Sequence, residues 1–322
     1  MSDPVLHEVS MHLVLPNDPV KGTVVSNELC MRGKSSSFVR HVAVDVSGTP
    51  LESNFRSGQS FGIIPEGLDQ NGKPHKVRLY SIASPTCGED GQGKVLSTTC
   101  KRLIDEFEPD APRDGSERGG LFLGVCSNYI SDRRPGDEIL ITGPAGKRFV
   151  LPKDPQKHDY LFLATGTGIA PYRGMVKDLL EGDTPCTRQV HLVMGTTYAS
   201  DLLYDDFFDR MDREHDNFHY HRVTSRETPV LDVRHARGYV HHYLDGAVEH
   251  FRDLLAHEDT LIYICGLAGM QVGVFQTLAQ QGLGGQYLKI KGELEGVEPS
   301  QWEDKDIKRW VRPTNRCMLE VY

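Results

Sequence analysis

The sequence predicts two domains: an N-terminal antiparallel β-barrel and a C-terminal α/β domain with a doubly wound parallel sheet. Three observations predict this. Short strand-like runs bounded by turn residues fill the first half of the chain, as in small barrels. From Tyr160 onward, continuous apolar runs alternate with helix-like stretches, the rhythm of buried parallel strands joined by helices. Between the two regimes, residues 151–159 carry Pro152 and Pro155. That segment sets the expected boundary, with the barrel and its N-terminal arm at 1–154 and the α/β domain at 155–322.

Residues 1–20 read as a polar, proline-punctuated arm. Strand-like runs follow at 22–25 and 38–46, the second alternating through Val42, Val44 and Val46. Further strands are expected at 59–65, 78–84 and 96–103, with a turn at 69–74. Residues 105–120 read as an exposed acidic loop. Ser127 is the expected N-cap of a short helix, and a strand over 138–144 completes the barrel. In the second domain the expected order is strand 160–164, helix 170–180, strand 190–195, helix 202–213 and strand 218–224. Helix 240–255, strand 260–265 and helix 269–281 follow.

The composition excludes several classes. The chain has 322 residues, 25% of them charged, and a net charge of −9, which disfavours nucleic acid as a partner. No apolar run reaches the roughly 18 residues of a membrane span. No cationic start followed by an apolar core marks a secretory signal. The expected compartment is the cytoplasm, or the plastid stroma if a transit peptide has been removed. The seven cysteines are widely spaced without a C-x-x-C pair, so neither a disulfide framework nor a metal centre is expected. The pairs His241-His242 and His219/His221 lack a carboxylate or thiol at ligand spacing, so no metal site is assigned.

Four stretches carry chemistry. In Arg78-Leu79-Tyr80-Ser81 an arginine, an aromatic ring and a hydroxyl can grip a flat polar ring bearing a phosphate; the bland alternative is an edge strand. Thr165-Gly166-Thr167-Gly168-Ile169-Ala170-Pro171 follows a strand and opens a helix, where glycines let backbone approach a pyrophosphate. It lacks both the usual dinucleotide fingerprint and a phosphate-loop lysine. Cys265-Gly266 ends another strand, at the edge where such sheets bind ligands. Ser225, Arg226, Arg237 and Tyr239 can enclose a 2′-phosphate and stack an adenine, which points to NADP rather than NAD. The terminal Glu320-Val321-Tyr322 reads either as a last edge strand or as an aromatic cap over a flavin.

With these residues in place, the chain resembles the plant-type ferredoxin–NADP⁺ reductases. The matching stretches are 69–76 leading into 78–84, Lys101-Arg102-Leu103, 124–128, 141–147, 165–171, 265–270 and the terminal tripeptide. The resemblance implies noncovalent FAD in the barrel and NADP(H) in the α/β domain. Hydride would pass between NADP(H) and flavin N5, and single electrons between the flavin and ferredoxin or flavodoxin. Carried over, Arg78 would bind the FAD pyrophosphate, Tyr80 would stack on the flavin, and Ser81 would hydrogen-bond near N5. Gly124, Val125, Cys126 and Ser127 would contact the FAD phosphates and flavin edge. Ser81, Cys265, Glu320 and Tyr322 would line the hydride-transfer site, with Tyr322 covering a flavin face and yielding to nicotinamide. Thr167 belongs to the pyrophosphate turn, and Lys101 would lie near the NADP pyrophosphate. Ser225, Arg226, Arg237 and Tyr239 would hold the adenosine 2′-phosphate end.

Two positions depart from the family pattern: Asp105 stands where a tyrosine usually stacks on the FAD adenine, and His241 where a glutamine is frequent. The competing readings are a flavin reductase component of an oxygenase or other multicomponent system, and a flavin-binding redox sensor without turnover.

Overall fold

The computed structural model describes residues 3–31, 33, 35, 37–69, 71–106, 121–228, 234–246 and 248–322. Contacts divide the chain into two compact units. Val9–Met31 with Ser36–Gly146 forms one; Met1–Glu8, Arg32–Ser35 and Lys147–Tyr322 form the other.

The first unit is the antiparallel barrel. Its strands are β1 (Val20–Leu29), β2 (Val39–Asp45), β3 (Ser60–Ile64), β4 (Arg78–Ser81), β5 (Val95–Lys101), β6 (Ile104–Glu106), β7 (Leu121–Leu123) and β8 (Glu138–Ala145). Six of them form one sheet in the order β4-β3-β8-β1-β2-β5, every pair antiparallel. The chain just past β4 then meets β5. Ile82 bridges Thr98, the Thr98 hydroxyl donates to the Ser81 carbonyl at 2.8 Å, and the Ala83 N–H donates to the Ser97 carbonyl at 2.8 Å. This closure removes the open edges that a six-stranded sheet would otherwise expose. The alternating Val42, Val44 and Val46 all point into a dry core with Phe61, Ile63, Ile82, Leu96, Ile139 and Ile141. Helix α1 (Val125–Ser131) adds Cys126 and Ile130 to it.

Three expectations change here. Residues 105 and 106 of the expected acidic loop belong to β6, which pairs with β7 in a two-stranded ladder, Ile104 opposite Leu123; residues 107–120 of that loop lie outside the described residues. Ser127 does not cap α1. The extended Gly124 does, and no side chain bonds the cap; Ser127 lies in the first turn, donating to the Gly124 carbonyl and accepting from Leu103 N–H. The N-terminal arm is tied down by bridges from Leu6 to Pro152 and from Val14 to Gly143.

In the second unit β9 (Tyr160–Thr165), β10 (Val190–Thr196), β11 (Phe218–Thr224), β12 (His235–Arg237), β13 (Leu261–Gly266) and β16 (Cys317–Val321) form a parallel sheet in the order β12-β11-β10-β9-β13-β16. A small ladder of β14 (Leu288–Ile290) and β15 (Val311–Pro313) lies beside it in sequence. The helices are α2 (Ala170–Leu180), α3 (Asp205–Glu214), α4 (Val240–Gly246), α5 (Val248–Ala256), α6 (Ala268–Gln280) and α7 (Asp304–Trp310).

Both faces of this sheet are buried, and alternation along each strand sorts the side chains between them. Leu161, Leu163, Val193, Val223, Ile262 and Ile264 share one core with Val240, Leu244, Phe275 and Leu278 of α4 and α6. The intervening aromatic residues form the other face. Phe162 stacks on Tyr172 of α2 with ring centroids 4.9 Å apart, and Phe208 of α3 meets Tyr220 of β11. Corrections are local. The helix expected over 202–213 starts at Asp205, and that over 240–255 is two helices, α4 and α5. The strand β12 was not expected. Chain order reverses between β9 and β13, so the ligand crevice expected of such sheets lies at their C-terminal ends.

Candidate active site

At that reversal the sequence brings two glycine turns together. The chain leaves β9 at Thr165 and makes one turn of 3₁₀ helix, Gly166–Ile169, before α2. It leaves β13 at Gly266, whose φ of +135° lies outside the range an L side chain readily adopts. The turns are in backbone contact. A Cβ on Gly168 would lie 2.2 Å from the Cys265 carbonyl oxygen, and one on Gly266 would lie 2.3 Å from Thr165 Oγ1. That Thr165 hydroxyl accepts the Leu267 N–H at 3.0 Å, tying one turn to the other.

The C-terminal strand completes this corner. In β16, Glu320 lies in register with Cys265 and Val321 with Gly266. The Tyr322 N–H donates to the Gly266 carbonyl at 3.0 Å, and its carbonyl accepts from Ala268 N–H at 3.2 Å. The Tyr322 and Thr167 hydroxyls are 2.6 Å apart and share a hydrogen bond. The ring itself stays 62% exposed. Thr167, Cys265, Glu320 and Tyr322 thus come together at this corner. Burial, and then the Glu320 carboxylate, push the Cys265 thiol far above its usual range, so it is a neutral S–H at any ordinary pH.

A second cluster lies along the same sheet edge. Thr196, Thr224 and Arg237 end β10, β11 and β12 in register. Ser225 and Arg226 follow directly, their N–H groups held by the Thr196 and Thr197 carbonyls. Tyr239 follows Gly238 and is 59% exposed. Among the described residues the Arg226 and Arg237 guanidiniums and the Ser225 hydroxyl have no hydrogen-bond or ion-pair partner. The carboxylate nearest in sequence, Glu227, is turned away to accept the Ala199 N–H at 2.6 Å. This edge offers two unpaired cations, a hydroxyl and an aromatic ring, which is a donor set for a phosphate next to a flat base.

In the barrel unit Arg78, Tyr80 and Ser81 lie on β4, opposite Ile63, Phe61 and Ser60 of β3. Arg78 is exposed and, among the described residues, bonds the neighbouring Val77 carbonyl alone. Tyr80 is half-buried against the barrel core. Burial, and then the thiols of Cys100 and Cys126 beside it, push its phenol far above its usual range. The Cys100 and Cys126 thiols themselves donate to the Ser127 and Ile63 carbonyls, each at 3.8 Å. The Ser81 hydroxyl has no partner among the described residues.

The Cys126 thiol points inward to the Ile63 carbonyl at 3.8 Å, so any ligand contact from Cys126 comes from its backbone. Gly124, Val125 and Ser127 sit at the entry of α1 beside Leu103. Lys101 is the exposed last residue of β5 in the barrel unit, opposite Val39. Sequence reasoning missed Cys100 and the Thr165 hydroxyl. Cys100 meets Tyr80 across strands, where sequence spacing carries no signal, whereas Thr165 stood inside a motif already singled out.

Residues 162–275 match the model of the oxidoreductase NAD-binding domain family. The chain is 36% identical over 275 residues to the ferredoxin–NADP reductase of Thermosynechococcus vestitus, covering 84% of this chain and 68% of that protein. It is 35% identical over 295 residues to the chloroplastic leaf isozyme 1 of ferredoxin–NADP reductase from Arabidopsis thaliana, covering 89% and 77%. Among solved structures, the ferredoxin-NADP⁺ reductase from Plasmodium falciparum with 2′P-AMP superposes with a TM-score of 0.68 at 22% identity, covering 97% of this chain and 99% of that one.

Proposed function

The chain belongs to the ferredoxin–NADP reductase family, and from that premise we propose that it is an enzyme exchanging hydride with NADP(H) and single electrons with ferredoxin. The observation that carries the reading is the cluster of Thr167, Cys265, Glu320 and Tyr322 at the ends of β9, β13 and β16. We further propose noncovalent FAD as the resident cofactor, and flavodoxin as an alternative carrier.

The barrel residues fit FAD. Among the described residues the Arg78 guanidinium bonds its own chain neighbour alone, leaving it suited to a pyrophosphate. Tyr80 offers a half-buried ring, suited to stacking, and Ser81 a hydroxyl without a partner among the described residues, for a ring edge. Gly124, Val125, Cys126 and Ser127 would supply backbone contacts at the entry of α1. FAD, when bound, accepts two electrons together and passes them on singly, joining an obligate hydride carrier to a one-electron carrier.

The chain's own residues do the rest. Arg226, Arg237 and Ser225 grip the 2′-phosphate, Tyr239 stacks on adenine, and the turn at Thr167 receives the pyrophosphate. The neutral Cys265 thiol and Glu320 border the nicotinamide. No helix among the described residues is long and apolar enough to cross a membrane. The proposed compartment is the cytoplasm, or the plastid stroma after loss of a transit peptide.

The test is NADPH-driven reduction of ferredoxin by the purified protein, followed through cytochrome c, with NADH in parallel. A yellow protein that turns over with NADPH and ferredoxin is expected. A colourless protein would sink the FAD assignment. Ferricyanide reduction without transfer to any ferredoxin or flavodoxin would sink the carrier assignment.

A further inference from the structure

We propose that His241 is a positioning residue for the adenosine end of NADP(H): seated on helix α6 at Gly273, it backs the exposed ring of Tyr239 with a parallel ring and holds it ready to stack on adenine. This rests on the reading that Tyr239 receives adenine.

The geometry points to this role. The Tyr239 and His241 rings are 5.7 Å apart between centroids and only 2° from parallel. Residues two apart within a helix do not face each other. These two do because Tyr239 precedes α4 and follows Gly238, whose φ is +140°. His241 cannot slide away. A Cβ added to Gly273 would fall 2.5 Å from its Nδ1 and 2.6 Å from its Cγ, so the imidazole lies directly on the α6 backbone. His242 closes on the pair with its centroid 4.2 Å from His241 and 5.5 Å from Tyr239. An exposed tyrosine on a glycine turn would otherwise sample several rotamers, and ordering it would weaken ligand binding.

His241 is not a third cation for the phosphate. Burial, and then the neighbouring His242, hold its pKa below the usual histidine value, while Asp245 pulls weakly the other way. The ring is neutral near pH 7. Its influence therefore falls on adenine, which NADPH and NADH share, whereas Arg226 and Arg237 act on the 2′-phosphate that only NADPH carries.

The experiment is steady-state kinetics of the holoenzyme with ferricyanide, using NADPH and NADH in turn. His241→Ala is expected to raise KM for both coenzymes by the same factor, about two- to tenfold, with kcat unchanged. His241→Phe, which keeps a flat ring, should restore most of the affinity. Gly273→Ala should reproduce the defect alone and add nothing on top of His241→Ala. An unchanged KM in His241→Ala, or a rise for NADPH only, overturns the proposal. So does a His241→Phe variant as poor as His241→Ala. Tyr239→Ala separates the two levels. If it raises KM and His241→Ala does not, only the role of His241 is lost; if it leaves both KM values unchanged, the adenine reading fails and the proposal with it.

Discussion

The two ends of the proposed NADP site on the parallel sheet are built by opposite means. At the corner of β9, β13 and β16, backbone touches backbone, and Gly168 and Gly266 leave no space for a single methyl group. At the ends of β10, β11 and β12, exposed side chains do the work, with Arg237 the last residue of β12 and Arg226 and Tyr239 just beyond strand ends. The difference teaches that reaction geometry and ligand identity make different demands. Hydride transfer tolerates little misplacement of the reacting carbon. Discrimination between NADP and NAD needs only charges within reach of one phosphate.

The largest expected effect comes from breaking the tight end. Gly168→Ala places a methyl group against the Cys265 carbonyl, where neither backbone can yield without opening the two turns. A loss of about 3 kcal/mol or more of stability is expected, at or above the upper end for overpacking. Thermal melting checks it, together with hydride transfer in stopped flow, which should be severely slowed in whatever protein folds. Gly269→Ala, four residues beyond Cys265, is the control. A Cβ there meets nothing within 4 Å, and inside α6 the change should stabilise by roughly 0.5–1 kcal/mol. Equal tolerance of both substitutions would refute the claim that contact, rather than glycine as such, matters at this corner.

The open end should break differently. Replacing Arg226 and Arg237 by alanine removes two charge-assisted contacts of about 1.5–3 kcal/mol each. KM for NADPH should rise by about a hundredfold or more while KM for NADH, kcat and melting temperature stay nearly constant. A comparable rise for NADH would mean that these arginines shape the site rather than read the phosphate.

The contrast also explains what was legible in the sequence. The tight end announces itself because backbone contact requires glycines in fixed places after apolar strands, and both turns do follow such strands. The barrel strands were read from alternation, as in Val42, Val44 and Val46. What stayed hidden depends on partners far away in sequence. Ser127 looks like a helix cap, but Leu103 N–H claims its hydroxyl. The strands β6 and β7 are three residues each and take shape only by pairing. The strand β12 exists because Arg222, Val223 and Thr224 of β11 offer it an edge. His241 stood out as a departure, yet its seat on Gly273 belongs to another helix.

A smaller effect is expected from deleting Tyr322. For nicotinamide to occupy the corner, the hydrogen bond between Tyr322 and Thr167 must be given up, at a cost of about 1 kcal/mol. The shortened chain should bind NADP⁺ about tenfold tighter once ring contact is added to that bond, and should discriminate less against NADH. Titration of the flavin difference spectrum measures both. Unchanged affinity would show that the ring does not compete with nicotinamide.

The smallest effect is confined to alkaline pH and sharpens the account of Cys265. Its thiol is neutral in the folded protein because burial, with Glu320 beside it, raises its pKa. In the unfolded chain it ionises near the ordinary thiol value of about 8.5. The protonated thiol's contribution is therefore complete below that value and is lost as pH rises from there toward the raised native value. At pH 9.5 the loss is about 1.4 kcal/mol, a shift of a few degrees in melting temperature. Cys265→Ser, which does not titrate in this range, should fall less than the parent between pH 7 and 9.5. The remaining alkaline decline then comes from the other groups that burial pushes up, among them the thiols of Cys100 and Cys317, each to about 12, those of Cys126 and Cys186, and the buried tyrosines. Parallel declines in parent and variant would show that Cys265 already ionises in the native corner, and the neutral thiol assigned to the nicotinamide border would have to be abandoned.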